Sequence, residues 1–227
     1  MGRSLLSVST LGLLAALSMG NAQAADTATP STTASPTVVP AAPTATTASP
    51  EVPPPASEVM NYTLDPMHTY VLWHIDHFGF SNPSGKWLGQ GVLALDKNKP
   101  ENSTVKATIN VANVSTGIPQ LDEHLQGPLF FDTKKFPIAT FVSTKVDVIN
   151  RDTADVEGTL TLHGVSKPVT LHVKLNKMAV NPINNKDTVG FTATAEIKRS
   201  DFGMTTLLPG LGDAIPLEIE VEAYKSN

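Results

Sequence analysis

The chain has 227 residues, a formal net charge of −5 and no cysteine. The acidic balance argues against a general nucleic-acid binder, which needs a basic footprint. Without Cys there are no disulfides, thiolate zinc sites, cysteine nucleophiles or cysteine-linked lipids, and no stretch has the length of a transmembrane helix.

Residues 1–24 read as a secretory signal. Arg3 gives a positive start, 11–17 is a short apolar run, and Ala22-Gln23-Ala24 matches the small-residue cleavage pattern. A periplasmic location is therefore expected. Residues 25–58 are mostly Ala, Thr, Ser and Pro, and hold eight of the 18 prolines. Such a segment cannot bury enough surface to offset chain entropy, so a disordered linker is expected. The folded domain should run over 59–227.

Tyr62 and Leu64 open a short first strand that ends at Asp65-Pro66. In 68–80, Val71, Trp73, Ile75 and His77 share one face, and Tyr70, Leu72, His74 and Asp76 the other. Residues 82–85 carry turn chemistry. A third strand covers 87–95, with Trp87 near its start and Gly89 and Gly91 as bulge or bend positions. A fourth covers 104–111.

The rhythm then changes. Residues 119–127 have helical spacing at Leu121 and Leu125, with Pro at the start and Gly at the end. Residues 130–135 read as a second helical turn. This crossover gathers Leu125, Leu129, Phe130, Phe131 and Phe136, and reads as a lid over one end of a sheet.

Strands resume at 138–149, which carries Phe141. In 156–175, Val156, Gly158, Leu160 and Leu162 alternate with polar residues. After a break at 164–168, Val169, Leu171, Val173 and Leu175 do the same. The pattern predicts an antiparallel hairpin with a loop longer than the tightest turns. Residues 189–198 turn Phe191, Ala193, Ala195 and Ile197 inward. In 215–224, Ile215, Leu217, Ile219 and Val221 oppose Glu218, Glu220 and Glu222. About eight antiparallel strands and one helical crossover predict an all-β closed barrel or strongly curved sheet, with a two-sheet sandwich as the alternative.

Four stretches in this order, VLWHIDHFGF, DEHLQGPLFFDTKKFPIATFVS, VEGTLTLHGVSKPVTL and FTATAEIKRSDFGM, resemble the YceI-like family of lipocalin-like exported proteins. The resemblance implies an extended eight-stranded antiparallel lipocalin-like barrel. It further implies a long isoprenoid, isoprenoid quinone or related lipid bound in the lumen, carried or stored without catalysis. Leu121 stands where such proteins often carry Arg, so a basic group is missing near the crossover.

Strand faces, crossover and resemblance together give the expected ligand-binding residues: Val71, Trp73, Ile75, His77, Trp87, His124, Leu125, Phe130, Phe131, Phe136, Phe141, Leu160, Leu162, Phe191 and Phe202. An apolar lumen would stabilise a bound chain by roughly 0.8 kcal/mol per methylene. The same residues would equally fill a solid core, and the width of the interior decides between the two. His77 and His124 can hydrogen-bond a quinone carbonyl or a lipid head, or be satisfied by backbone. His68, His74 and Asp76 share a strand face that points outward, so no metal is expected. Arg199 and Asp201 are expected to cap and pair at a strand end. No G-x-S-x-G, H-E-x-x-H or phosphate loop occurs, so no catalytic residue and no cofactor other than the bound lipid is expected. The alternatives are an enzyme using His77 or His124, or a stress-protective module with a solid barrel. The expected partner is a lipid-like small molecule, with room for transient contact with a membrane or membrane protein and for a homodimer.

Overall fold

The computed structural model describes residues 56–226. The expected signal at 1–24, and the expected linker up to residue 55, lie outside the described residues. The elements in order are β1 (Val59–Leu64), β2 (Tyr70–His74), β3 (Ser84–Asp96), β4 (Thr104–Asn110), α1 (Pro119–Leu125), β5 (Ile138–Val148), β6 (Thr153–Leu162), β7 (Val165–Val180), β8 (Asp187–Lys198) and β9 (Ala214–Lys225).

All pairings are antiparallel. The sheet order is β1-β3-β2-β9-β8-β7-β6-β5-β4, and the additional pair β3–β4 closes it into a barrel. Nine strands make eight staves because β1 and β2 share one. β1 pairs with residues 91–96 of β3 and β2 with 84–88. On the other side, β1 pairs with residues 223–225 of β9 and β2 with 217–220. The stave breaks at Asp65-Pro66, where proline has no N–H for a ladder. Closure removes the sheet edges, which rules out the two-sheet sandwich.

Several local expectations are corrected. The β6–β7 hairpin turns on two residues, His163 (φ 52°) and Gly164 (φ 74°), with Leu162 paired to Val165. Two positive φ angles give the primed turn that matches strand twist. Pro168 therefore belongs to β7, opposite Thr159. It is tolerated because β8 pairs with β7 only from His172 onward, so nothing on that side needs its N–H. The second strand is shorter than 68–80, because His77 and Ser81 bridge each other in a turn. Residues 130–135 form linked turns instead of a helix: Phe131 N–H donates to Leu125 O and Asp132 N–H to Gly127 O, both at 3.0 Å.

The buried side chains fall into two clusters. One, at the α1 end, contains Trp73, Trp87, Val111, Leu125, Leu162 and Phe202. The other, at the opposite end, contains Tyr62, Leu64, Leu93, Leu95, Val189 and Ala223. Inward glycines make room for aromatic rings. A Cβ on Gly158 would collide with the Phe141 ring, and one on Gly85 with the Trp73 ring.

Candidate ligand site

The middle of the barrel is hollow. A cavity of about 270 Å³ runs between the two clusters, walled by strand side chains that face the axis. Val71, Phe141, Leu160 and Phe191 line it, with Val156, Leu171 and Ile219 from the alternating rows. Its walls are almost wholly aliphatic and aromatic. The opening of one water needs only about 10–15 Å³ on the same measure, so this is not a solid core.

At the α1 end lies a second cavity, a vestibule of about 460 Å³. Trp73, Ile75, His77, His124, Leu125, Phe130 and Phe131 line it. Trp87, Leu162, Ile197 and Leu217 line both spaces, so the two share a wall. Aromatic rings gather on its vestibule side: Trp73 and Trp87 have ring centroids 5.8 Å apart, and Phe131 stands edge-on to Trp87 at 5.1 Å. Binding pockets for small ligands commonly occupy a few hundred to a thousand Å³.

Two expected residues line neither cavity. Phe136 packs edge-on against the His163 ring at 4.6 Å and lies over Gly164, under the hairpin turn. Phe202 is fully buried in the core, and its carbonyl accepts a 2.9 Å hydrogen bond from His163 Nδ1. Both support the site without facing it. His77 and His124 stand exposed at the vestibule mouth, outside the barrel interior, each edge-on to a phenylalanine: Phe78 at 4.9 Å and Phe130 at 5.1 Å.

The polar groups near the ligand space are few. Trp87 Nε1–H donates to Val111 O at 3.1 Å. Trp73 Nε1 is buried and has no hydrogen-bond partner among the described residues. A buried unpaired donor costs free energy.

Arg199 was not anticipated at this site. It lines the vestibule and is buried, and it does more than cap a strand end. Its Nε donates to Gly212 O at 2.7 Å, and its two terminal nitrogens donate to Met204 O and Leu211 O at 2.8 Å each. Burial pushes its pKa down, partly offset by Asp213. Leu121 also lines the vestibule. The signal for Arg199 is its place just after a strand, but only the folded loop brings three carbonyls to it. Asp213 instead takes Ser200, accepting from its N–H at 2.9 Å and its hydroxyl at 2.8 Å.

The weighed metal residues do not gather. His74 Nε2 is 3.6 Å from Glu218 Oε1, too long for a hydrogen bond, and Asp76 accepts from Gly79 N–H at 3.1 Å. Among the described residues, Asp65, His68 and Glu222 bring ligand-type atoms within 4.8 Å of one another. Asp65 and His68 are already hydrogen-bonded at 2.9 Å, an ordinary surface pair at the break in the stave.

Comparison with known proteins gives the same barrel. The family model described as YceI-like domain matches residues 62–223. A UPF0312 protein of Pseudomonas putida is 37% identical over 162 residues, covering 70% of this chain and 83% of that protein. Protein YceI of Salmonella arizonae is 38% identical over 161 residues, with the same coverage of 70% and 83%. The crystal structure of a Campylobacter jejuni YceI protein matches at TM-score 0.59 and 34% identity, over 65% of this chain and 88% of that one. A polyisoprenoid binding domain from Saccharophagus degradans matches at TM-score 0.58 over 74% of this chain and 99% of that one; at 15% identity, that likeness speaks to the fold alone. With a family model running from β1 into β9, and relatives this similar over the whole barrel, the chain belongs to the YceI-like family.

Proposed function

We propose that this protein is an exported, non-catalytic carrier or store for one long apolar chain: an isoprenoid, an isoprenoid quinone or a related lipid. The observation that carries the reading is the hollow of about 270 Å³ between the two core clusters, walled by apolar side chains. Water gains little there and a hydrocarbon gains much. Ten buried methylenes stabilise by about 8 kcal/mol before ordering costs. Family membership supports the reading, as does the fold shared with a domain described as polyisoprenoid-binding.

The ligand's tail would occupy the barrel and its polar head the vestibule. There His77, His124 and Thr116 stand around the space.

The test begins with protein purified from its native compartment and extracted into organic solvent. Mass spectrometry should find a prenyl or lipid species, and the emptied protein should rebind an isoprenoid quinone with quenching of Trp73 and Trp87. No extracted lipid and no rebinding would end the proposal. Cell fractionation tests the export part separately.

A further inference from the structure

The vestibule mouth is built from three loops, 77–83, 124–131 and 202–212. Within these bounds none carries Asp, Glu, Lys or Arg; the nearest charged groups are exposed Asp76, which accepts from Gly79 N–H, and Glu123 and Asp201 at the loop edges. The loops are tied to one another. His77 bridges both Ser81 and Leu211, Phe78 N–H donates to Gly210 O at 3.0 Å, and Thr206 Oγ1 donates to Leu129 O at 2.6 Å.

From these loops four large apolar side chains stand into solvent. Phe80 is 89% exposed, Leu129 58%, Leu207 57% and Phe78 46%. Phe78 (φ 56°) and Leu207 (φ 61°) hold left-handed backbone, which bulky residues seldom adopt. Such strain persists where the surrounding structure imposes it, and it gathers at functional segments. Scattered exposed apolar residues need no explanation, but a cluster on one end does.

The opposite end of the barrel is different. Its connections, 97–103, 149–152 and 181–186, include Lys97, Lys99, Glu101, Arg151, Asp152 and Lys186. Ile183 is 93% exposed there, but it stands among asparagines and beside these charges.

We propose that the rim around the vestibule docks on a lipid bilayer, with Phe80 at the apex of the inserted turn. The proposal rests on the lipid-binding reading and adds where the ligand is exchanged. Two observations favour a bilayer over a protein partner. Phe80, Leu129 and Leu207 gain by entering the acyl boundary, and the turn tips that carry them hold no charged side chain that would be buried with them. The mouth is also continuous with the ligand space, since His77, Phe130 and Leu207 line the vestibule. A chain leaving the bilayer would enter without crossing water. The net charge of −5 further predicts preference for zwitterionic over anionic lipid.

The test is vesicle flotation of the protein as exported, on phosphatidylcholine and phosphatidylethanolamine vesicles. Alongside it, quenching of Trp73 and Trp87 by an isoprenoid quinone in detergent micelles reports ligand binding without a bilayer. Wild type should float, and added anionic lipid should weaken it. Phe80→Asp should reduce vesicle binding about tenfold or more. Ile183→Asp at the far end should leave it unchanged, and both variants should quench as wild type does. Quenching without flotation would overturn docking and leave the ligand reading standing, whereas flotation without quenching would do the reverse. Docking also fails if Phe80→Asp floats like wild type, or if Ile183→Asp loses as much. It fails if only vesicles containing membrane proteins are bound, or if a dimer formed without lipid becomes monomeric on Phe80→Asp.

Discussion

The two ends of the barrel are each knotted by one buried charged side chain, of opposite sign. At the vestibule end Arg199 donates to the carbonyls of Gly212, Met204 and Leu211 and so folds the loop between β8 and β9. At the far end Asp96 accepts from Ser57 Oγ, from the N–H groups of Glu58, Asn98 and Lys99, and from Asn102 Nδ2. That carboxylate ties the chain entering β1 to the turn leaving β3. The difference follows from what each loop leaves unpaired. A loop wound around its own carbonyls needs a multi-donor cation, and a turn presenting N–H groups needs an anion. The cationic knot keeps an apolar mouth in shape. The anionic knot closes a polar end.

Breaking the cationic knot should have the largest effect. Arg199→Ala leaves three buried carbonyls without partners, and should cost about 3–5 kcal/mol. Thermal melts should show the drop, with loss of near-ultraviolet signal from the Trp73–Trp87 pair. Filling the hollow between the knots comes next. Ala193→Phe projects into the barrel cavity and should weaken isoprenoid binding by tenfold or more. Its melting temperature should hold or rise, whereas a solid core would lose about 1–3 kcal/mol to overpacking.

The anionic knot predicts a pH dependence. The Ser57 hydroxyl, together with the backbone N–H groups of Lys99, Glu58 and Asn98, holds the Asp96 carboxyl far below the ordinary carboxylate range despite desolvation. A depressed pKa contributes stability that is fully present above the unfolded value near 3.9 and is lost as pH falls toward the lower folded value. Denaturant midpoints measured from pH 7 to pH 3 should therefore fall below about pH 4. The fall should be shallower in Asp96→Asn. The smallest effect belongs to Tyr62, whose buried hydroxyl has no partner among the described residues. Tyr62→Phe should be neutral or stabilising by about 1 kcal/mol. A clear loss in the same melts would mean that the hydroxyl is paired in solution.

Much of the fold was legible in the chain because strand faces repeat every second residue. The alternation at Leu160 and Leu162, at Val169, Leu171 and Val173, and at Leu217, Ile219 and Val221 marks the inward rows directly. Aromatic density at 125–136 marked the lidded end. Less was legible wherever side-chain spacing is not the deciding quantity. His163-Gly164 makes a tight turn because both residues take positive φ, while Pro168 sits in a strand because its neighbour ends early. Phe136 and Phe202 share the composition of ligand-lining residues, but they pack behind the wall. Arg199 reads as a strand-end charge until the loop returns three carbonyls to it.

By itself, then, the sequence determined the all-β class, the inward rows and the placement of the one α-helix among the described residues. Those follow from local periodicity and from breakers such as Pro66 and Pro119. Tertiary structure decided that β1 and β2 share a stave, that the ring closes through β3 and β4, and that the centre stays open. Whether inward side chains meet depends on the radius of the closed barrel, which strand number and stagger set together. No single strand carries that information.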